Sequence, residues 1–116
     1  TGIAVVDSSI FDTHRYFIGA DGKSRVAADV DFTGQAVTGG DPYGHGTHVA
    51  AMAAGGSPNI AEDYRGIASG ARIINLRVLN SEGRGTVSSL LCALDWTMTW
   101  RAAYNIRVVN LSLGVC

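Results

Sequence analysis

Short apolar runs alternate along the chain with segments of helical periodicity. Residues 3–6 are a continuous apolar run, which is typical of a strand buried on both faces of a parallel sheet. Residues 72–79 and 106–111 are rich in apolar side chains and predict two further strands. Val30 and Phe32, which are spaced by aspartates, predict a further short strand near a sheet edge. The resulting order of strand, loop, helix, strand, helix and strand predicts an α/β fold. We expect a mostly parallel central sheet with helices on both faces.

The two predicted helices differ in their start and stop signals. His45–Ala54 is rich in alanine and is followed by Gly55 and Gly56, which predict a helix that ends there. This segment has no charged face, so we expect it to be largely buried. Thr86 is a predicted N-cap for the second helix, and Asn105 is its predicted left-handed C-cap. The second helix carries apolar residues at helical spacing, predicted to face the core: Val87, Leu90, Leu91, Leu94 and Met98.

Composition narrows the classes of function. The 116 residues are one domain's worth of chain, and a net charge of −1 argues against a nucleic-acid binder, which needs clustered cations. Residues 42–61 lack Asp, Glu, Lys and Arg, but proline, glycine and histidine make them unsuitable as a membrane span. No signal peptide is visible at the start. Cys92 and Cys116 are too few for a disulfide scaffold, although a single bridge between them is an open alternative.

Candidate chemistry lies where predicted strands end and a helix begins. Asp7 ends the first strand, His45 opens the first helix, and Ser112 follows the last strand. The carboxyl ends of parallel strands share one edge of the sheet, so a carboxylate, an imidazole and a hydroxyl would meet there, as nucleophilic catalysis requires. Other interpretations stay open. Asp7 could cap a turn, and His45 and His48 could be core histidines or could bind a metal with Asp41.

These signals together resemble one enzyme family. Residues 44–50 read Gly-His-Gly-Thr-His-Val-Ala and follow a strand that ends Val-Val-Asp, a combination similar to the subtilisin-like serine proteases, or subtilases. Residues 66–71, 83–85 and 108–114 resemble further segments of that family. The resemblance covers nearly the whole chain. We therefore expect residues 1–116 to be the N-terminal part of a subtilase catalytic domain, truncated at both ends.

The resemblance implies roles for individual residues. Asp7 would be the triad aspartate that orients the imidazole, and His45 would act as general base and then as acid. Gly83 and Gly85 would leave room for a peptide or protein substrate to bind as an extended strand. The pocket for the residue before the scissile bond would be lined by Ser112, Leu113 and Gly114.

The resemblance also implies a setting for the protein. It predicts a secreted protein that is monomeric when complete and that needs no cofactor for catalysis. Family members often bind calcium, and an oxygen-rich loop could hold a structural calcium ion here through Asn59, Glu62 and Asp63.

Two departures from the family pattern bear on activity. The family usually has Asp-Ser/Thr-Gly where this chain has Asp7, Ser8 and Ser9, and serine is disfavoured where φ is positive, so the turn is expected to differ. The family's Gly-Thr-Ser-x-Ala nucleophile segment and its oxyanion asparagine are not among these residues. The isolated chain is therefore predicted to be inactive. The alternative is a non-catalytic binding domain with the subtilase fold, a pseudoprotease.

Overall fold

A computed structural model describes residues 1–34, 40–57, 61 and 64–114. In chain order the elements are β1 (Gly2–Asp7), a 3₁₀ turn (Arg15–Phe17), β2 (Val26–Asp31), α1 (His45–Ala54), β3 (Arg72–Arg77), α2 (Val87–Trp100) and β4 (Ile106–Asn110). This is the alternation of strands and helices that the apolar pattern predicts. The bounds of α1 agree with the prediction, whereas β2 begins at Val26, before the predicted start at Val30.

The four described strands form one parallel sheet in the order β2-β3-β1-β4. β1 lies inside the sheet, and all six of its residues are buried, as its continuous apolar run predicts. β2 and β4 are the edge strands. The register places Asp7 beside Arg77 and Arg77 beside Asp31, so three charged residues lie side by side at the carboxyl edge.

One helix covers each face of the sheet. α1 packs Ala50 and Ala54 on a cluster that includes Val5 and Ile73. α2 packs Ala93 on the opposite face, against a cluster of Ala4, Val6, Ile74, Leu76, Val78 and Ile106. The predicted fold class, a parallel α/β sheet with helices on both faces, is thereby confirmed.

The buried face of α2 agrees only in part with the predicted one, because Leu90 packs against the core but most of the other predicted side chains do not. Val87, Leu91 and Met98 are 68%, 60% and 66% exposed, whereas Ala93 and Thr97 are buried. Small side chains allow the helix to approach the sheet closely, and the Thr97 hydroxyl is satisfied because it donates to the Ala93 carbonyl at 2.9 Å. The helix was therefore predicted correctly, but its predicted apolar face is only partly correct, because the helix is turned so that Ala93 and Thr97 lie deepest.

The expectation that α1 is largely buried is also wrong for one side of the helix. Met52 is 59% exposed, while Ala50 and Ala54 are buried. Only one row of α1 is buried against the rest of the protein: Gly46, Ala50 and Ala54. The lack of charged residues on this helix therefore does not mean that the helix is fully buried.

The predicted start of α2 is confirmed, but its predicted C-cap at Asn105 is wrong, because the helix ends at Trp100 and Arg101 is the C-cap. Thr86 is the N-cap, and its hydroxyl accepts from the Ser89 amide at 3.1 Å. Asn105 has φ 50° and starts the chain into β4.

Several predictions concern residues outside the described part of the chain. Cys92 is an exposed free thiol, and its possible partner Cys116 is not described. The proposed calcium ligands also lie outside the described residues: Asn59, Glu62 and Asp63. Within the described ranges, no helix has the length and apolar character needed to cross a membrane.

An ion pair between buried Arg77 and the more exposed Asp31 joins β3 to β2 at the carboxyl edge. Arg77 is 2% exposed, and its Nη1 donates to Asp31 Oδ2 at 2.8 Å. Burial acts to raise the pKa of Asp31, but hydrogen bonds from Thr33 and Arg77 outweigh it and leave that pKa below its ordinary value of 3.8. Ionised Asp31 therefore stabilises the fold above its unfolded-state pKa, and this contribution is lost as the pH falls through the folded-state pKa.

We expect Asp31→Asn to remove this acid-dependent part of the stability. Urea unfolding between neutral and strongly acidic pH should show a smaller loss of unfolding free energy in the variant than in the unmodified chain. Asp95→Asn, which changes an exposed carboxylate on α2, is the matched control and should keep the original pH dependence. Equal pH dependence in the Asp31→Asn variant and the unmodified chain would contradict the expectation.

Candidate active site

The carboxylate of Asp7 and the imidazole of His45 form a close pair. Nδ1 of His45 lies 2.8 Å from Oδ1 and 3.0 Å from Oδ2 of Asp7. Asp7 is fully buried, and its Oδ1 also accepts from the Ser8 amide at 2.7 Å. An ionised carboxylate only accepts hydrogen bonds, so Nδ1 carries the proton and Nε2 is left with its lone pair. The His45 side chain is 43% exposed, and a reactant can therefore reach the imidazole.

The backbone of β1 and β3 fixes the position of Asp7. Its carbonyl oxygen accepts from the amides of Val78 and Leu79 at 2.8 and 3.2 Å, where β3 gives way to the following loop. Both strands end at the same edge because they are parallel and in register. The buried carboxylate is therefore held by a regular sheet rather than by a loop alone.

Asp41 ties the start of α1 to the turn after β1. Its carboxylate accepts from the Gly44 amide at 3.0 Å, the Thr47 amide at 2.9 Å and the Thr47 hydroxyl at 2.7 Å. It also accepts from the Ser8 hydroxyl at 2.8 Å, and that hydroxyl accepts from the Gly46 amide at 2.9 Å. A negative charge at a helix N-terminus is favourable, so Asp41 stabilises the helix that presents His45.

The alternative metal site finds no support in this geometry. Asp41 directs its carboxylate at α1 and Ser8, and His48 is exposed on the helix. In the part of the chain that the structure describes, no group of three His, Cys, Asp or Glu side chains lies close enough to hold a metal ion.

Gly46 allows α1 to approach the turn that follows Asp7. A Cβ at this position would overlap the Ser9 carbonyl oxygen and lie 3.2 Å from Asp7 Cβ. This contact explains a residue of poor helix propensity in the first turn of α1. The close approach brings Nδ1 of His45 within reach of Asp7.

We expect Gly46→Ala to destabilise the chain by about 1–3 kcal/mol, because the added methyl group must push backbone aside. Chemical denaturation measures this change. Gly70→Ala is the matched control, since a Cβ there meets nothing within 4 Å and φ is not positive. An unfolding free energy for Gly46→Ala equal to that of the control would argue against a tight contact between α1 and the turn.

Of the two loop glycines predicted to receive substrate, Gly83 lies against Tyr43, whose ring is near the imidazole of His45. A Cβ on Gly83 would be 2.6 and 2.7 Å from Cε2 and Cε1 of the Tyr43 ring. The centroid of that ring is 6.3 Å from the centroid of His45. A Cβ on Gly85 would overlap the Val78 carbonyl oxygen, so close packing within the protein also requires a glycine there.

The segment after β4 lies at the same edge of the sheet as Asp7. Ser112 is exposed, and its hydroxyl accepts from Asn110 Nδ2 at 2.8 Å. Leu113 packs against the core on the α2 side, and Gly114 is exposed. The parallel register therefore places the segment after β4 at the edge of the sheet where Asp7 lies.

Ser9 adopts the conformation that serine is expected to avoid. Its φ is 116°, and the residue is 6% exposed. The positive φ is retained despite the side chain, so the turn after Asp7 contains backbone strain of about 1–3 kcal/mol.

Sequence reasoning missed several residues that build the site. Asp41 lies three residues before the N-cap Gly44, outside the position where an aspartate usually signals a helix start, so its sequence position suggests only a metal ligand. Ser8 and Thr47 also help to build the site, because both donate hydrogen bonds to the Asp41 carboxylate. No signal in the sequence indicates that Tyr43 packs over Gly83.

Comparison with known proteins agrees with the geometry. The family model described as the Subtilase family matches residues 1–115. Serine protease AprX of Bacillus subtilis is 30% identical over 115 residues, which cover 97% of this chain and 25% of that protein. Subtilisin-like protease 5 of Arthroderma benhamiae is 36% identical over 95 residues, which cover 72% of this chain and 22% of that protein.

Two solved structures share the fold. The Clostridium perfringens CspB protease gives a TM-score of 0.76 at 27% identity, covering 97% of this chain and 28% of that chain. A cold adapted subtilisin-like serine proteinase gives a TM-score of 0.74 at 30% identity, covering 98% of this chain and 37% of that chain.

A parallel α/β sheet with a carboxylate–imidazole pair at its carboxyl edge defines a class of hydrolase scaffolds. Within that class, the chain belongs to the subtilase family. It spans about a quarter of the length of the relatives that it matches.

Proposed function

We propose that this chain is the part of a serine endopeptidase that supplies the aspartate and the histidine of an Asp-His-Ser triad. The observation that carries the proposal is the distance of 2.8 Å between Nδ1 of His45 and the buried carboxylate of Asp7. The nucleophilic serine and the oxyanion donor would come from outside residues 1–116, as the family resemblance implies.

In this mechanism Asp7 keeps the proton on Nδ1, so Nε2 takes the proton of the serine hydroxyl as that oxygen attacks the peptide carbonyl. Nε2 then returns the proton to the leaving amine. Asp7 stabilises the imidazolium that exists between these two transfers. The chemistry needs no cofactor.

The substrate is proposed to be a peptide or protein segment bound in extended form beside Gly83 and Gly85. Its side chain before the scissile bond would enter a pocket with walls from Ser112, Leu113 and Gly114. These residues lie at the carboxyl edge, where β1, β3 and β4 end. Secretion and a monomeric state are part of the proposal and rest on the family resemblance alone.

The test is to express the uninterrupted reading frame that contains these codons and to measure hydrolysis of peptide substrates. We expect turnover that is lost in His45→Ala, whereas His48→Ala keeps it because His48 is outside the pair. The 116-residue chain by itself should show no turnover. A reading frame with no serine motif, or turnover that survives His45→Ala, would overturn the proposal.

A further inference from the structure

A buried amide joins the turn after Asp7 to an edge strand. Asn75 of β3 is fully buried, and its Nδ2 donates to the Ser9 hydroxyl at 3.1 Å and to Asp29 Oδ1 at 2.9 Å. The register explains the geometry, because Asn75 pairs with Val5 of β1 on one side and with Asp29 of β2 on the other. The three side chains of Ser9, Asn75 and Asp29 are called the polar brace below.

The polar brace is costly in two places. Ser9 has φ 116°, a backbone region that favours glycine. Asn75 Oδ1 is buried and finds no hydrogen-bond partner among the described residues, which is unfavourable for an amide. An apolar side chain on β3 and a glycine in the turn would avoid both costs. Strained backbone persists only where the surrounding contacts hold it in place, and the hydrogen bond from Asn75 to Ser9 is such a contact.

That effect falls on the proposed catalytic pair. Ser9 is two residues from Asp7, and Ser8 between them donates its amide to the Asp7 carboxylate. The Ser9 carbonyl also lies against Gly46, in the first turn of the helix that carries His45. A change in the Ser9 turn would therefore move the carboxylate relative to the imidazole.

We propose that Asn75, anchored by Asp29, is a positioning residue that holds Ser9 in its strained conformation and thereby directs the Asp7 carboxylate at Nδ1 of His45. The proposal rests on the proposed function for its importance, but its contacts and its test do not depend on hydrolysis. It assigns the departure from glycine at position 9 a compensating partner within the same chain.

The experiment is a double-mutant cycle on the protein expressed from the complete reading frame: unmodified, Ser9→Gly, Asn75→Leu, and both together. The readout is the proton NMR signal of His45 Nδ1–H and its rate of exchange with solvent. Asn75→Leu should accelerate that exchange by about tenfold or abolish the signal. A tenfold change corresponds to a loss of about 1.4 kcal/mol in the free energy that holds the carboxylate against Nδ1. In the Ser9→Gly background, Asn75→Leu should leave the exchange rate unchanged, because glycine adopts φ 116° without the brace.

Internal controls show whether the fold is intact. The ring of His14, whose Nδ1 accepts from the Tyr16 amide, is not part of the brace and should keep its NMR signals in all four proteins. If Asn75→Leu fails to fold alone, the double variant should fold and show the His45 signal.

Three results would overturn the proposal. They are unchanged exchange in Asn75→Leu, an equal loss in the single and double variants, and a double variant that does not fold. None of these results bears on hydrolysis by the complete protein. Conversely, turnover that survives His45→Ala would overturn the proposed function and leave the brace standing.

Discussion

Replacing His45 by alanine in the protein from the complete reading frame is expected to lower kcat by roughly 10⁶-fold, the loss found in subtilisin, itself a member of this family, when its base is removed. The structural reason is that, among the described residues, only the His45 imidazole has its Nδ1 hydrogen-bonded to a buried carboxylate. Without it, the described residues offer no other imidazole paired with a buried carboxylate to take the proton of the attacking hydroxyl.

Steady-state kinetics with a peptide substrate measure this effect. KM should change little, because alanine removes the base without filling the proposed substrate cleft. The folded state of His45→Ala is checked by its unfolding free energy, which should stay near that of the unmodified protein, since the side chain is 43% exposed. A fall of less than about tenfold in kcat would contradict the assignment of His45 as the base.

Asp7→Asn is expected to lower kcat by roughly 10⁴-fold, because an amide presents the wrong hydrogen-bonding groups to the imidazole. Oδ1 of Asp7 accepts from the Ser8 amide, so the asparagine oxygen would stay there and its NH₂ group would face Nδ1. Nδ1 would then have to accept and Nε2 would carry the proton. That tautomer cannot act as a base toward serine.

A matched substitution of a second carboxylate distinguishes this explanation from a loss of fold. Asp41→Asn is the matched control, because Asp41 is a carboxylate of the same region that touches α1 and Ser8 but not His45. We expect Asp41→Asn to lower stability while its kcat falls much less than that of Asp7→Asn. Equal effects of the two substitutions on kcat would show that Asp7 acts only by holding the fold.

The fold was predictable from the sequence where one physical signal dominated. The continuous apolar run of β1 gave its burial, and the alanine-rich segment with two following glycines gave both ends of α1. Asp7 and His45 could be named in advance because both lie at element ends, and parallel strands bring those ends together.

The parts that escaped prediction depend on contacts between elements. The orientation of α2 follows from how closely Ala93 approaches the sheet, and hydrophobic periodicity alone favoured the larger side chains of Leu91 and Met98. The positive φ of Ser9 follows from its bond to Asn75 on a different strand. Tyr43 and Gly83 lie on different loops, and local sequence does not indicate that they meet.

The strand order also has a consequence for synthesis on the ribosome. β1 is translated first among the described strands, yet its two neighbours in the sheet are β3 and β4, which begin at Arg72 and Ile106. Its ladder consists entirely of contacts distant in sequence, which form slowly and leave apolar surface open to chaperones meanwhile. The amides that hold the Asp7 carbonyl belong to Val78 and Leu79. A nascent chain therefore has no assembled carboxylate–imidazole pair until the end of β3 has emerged.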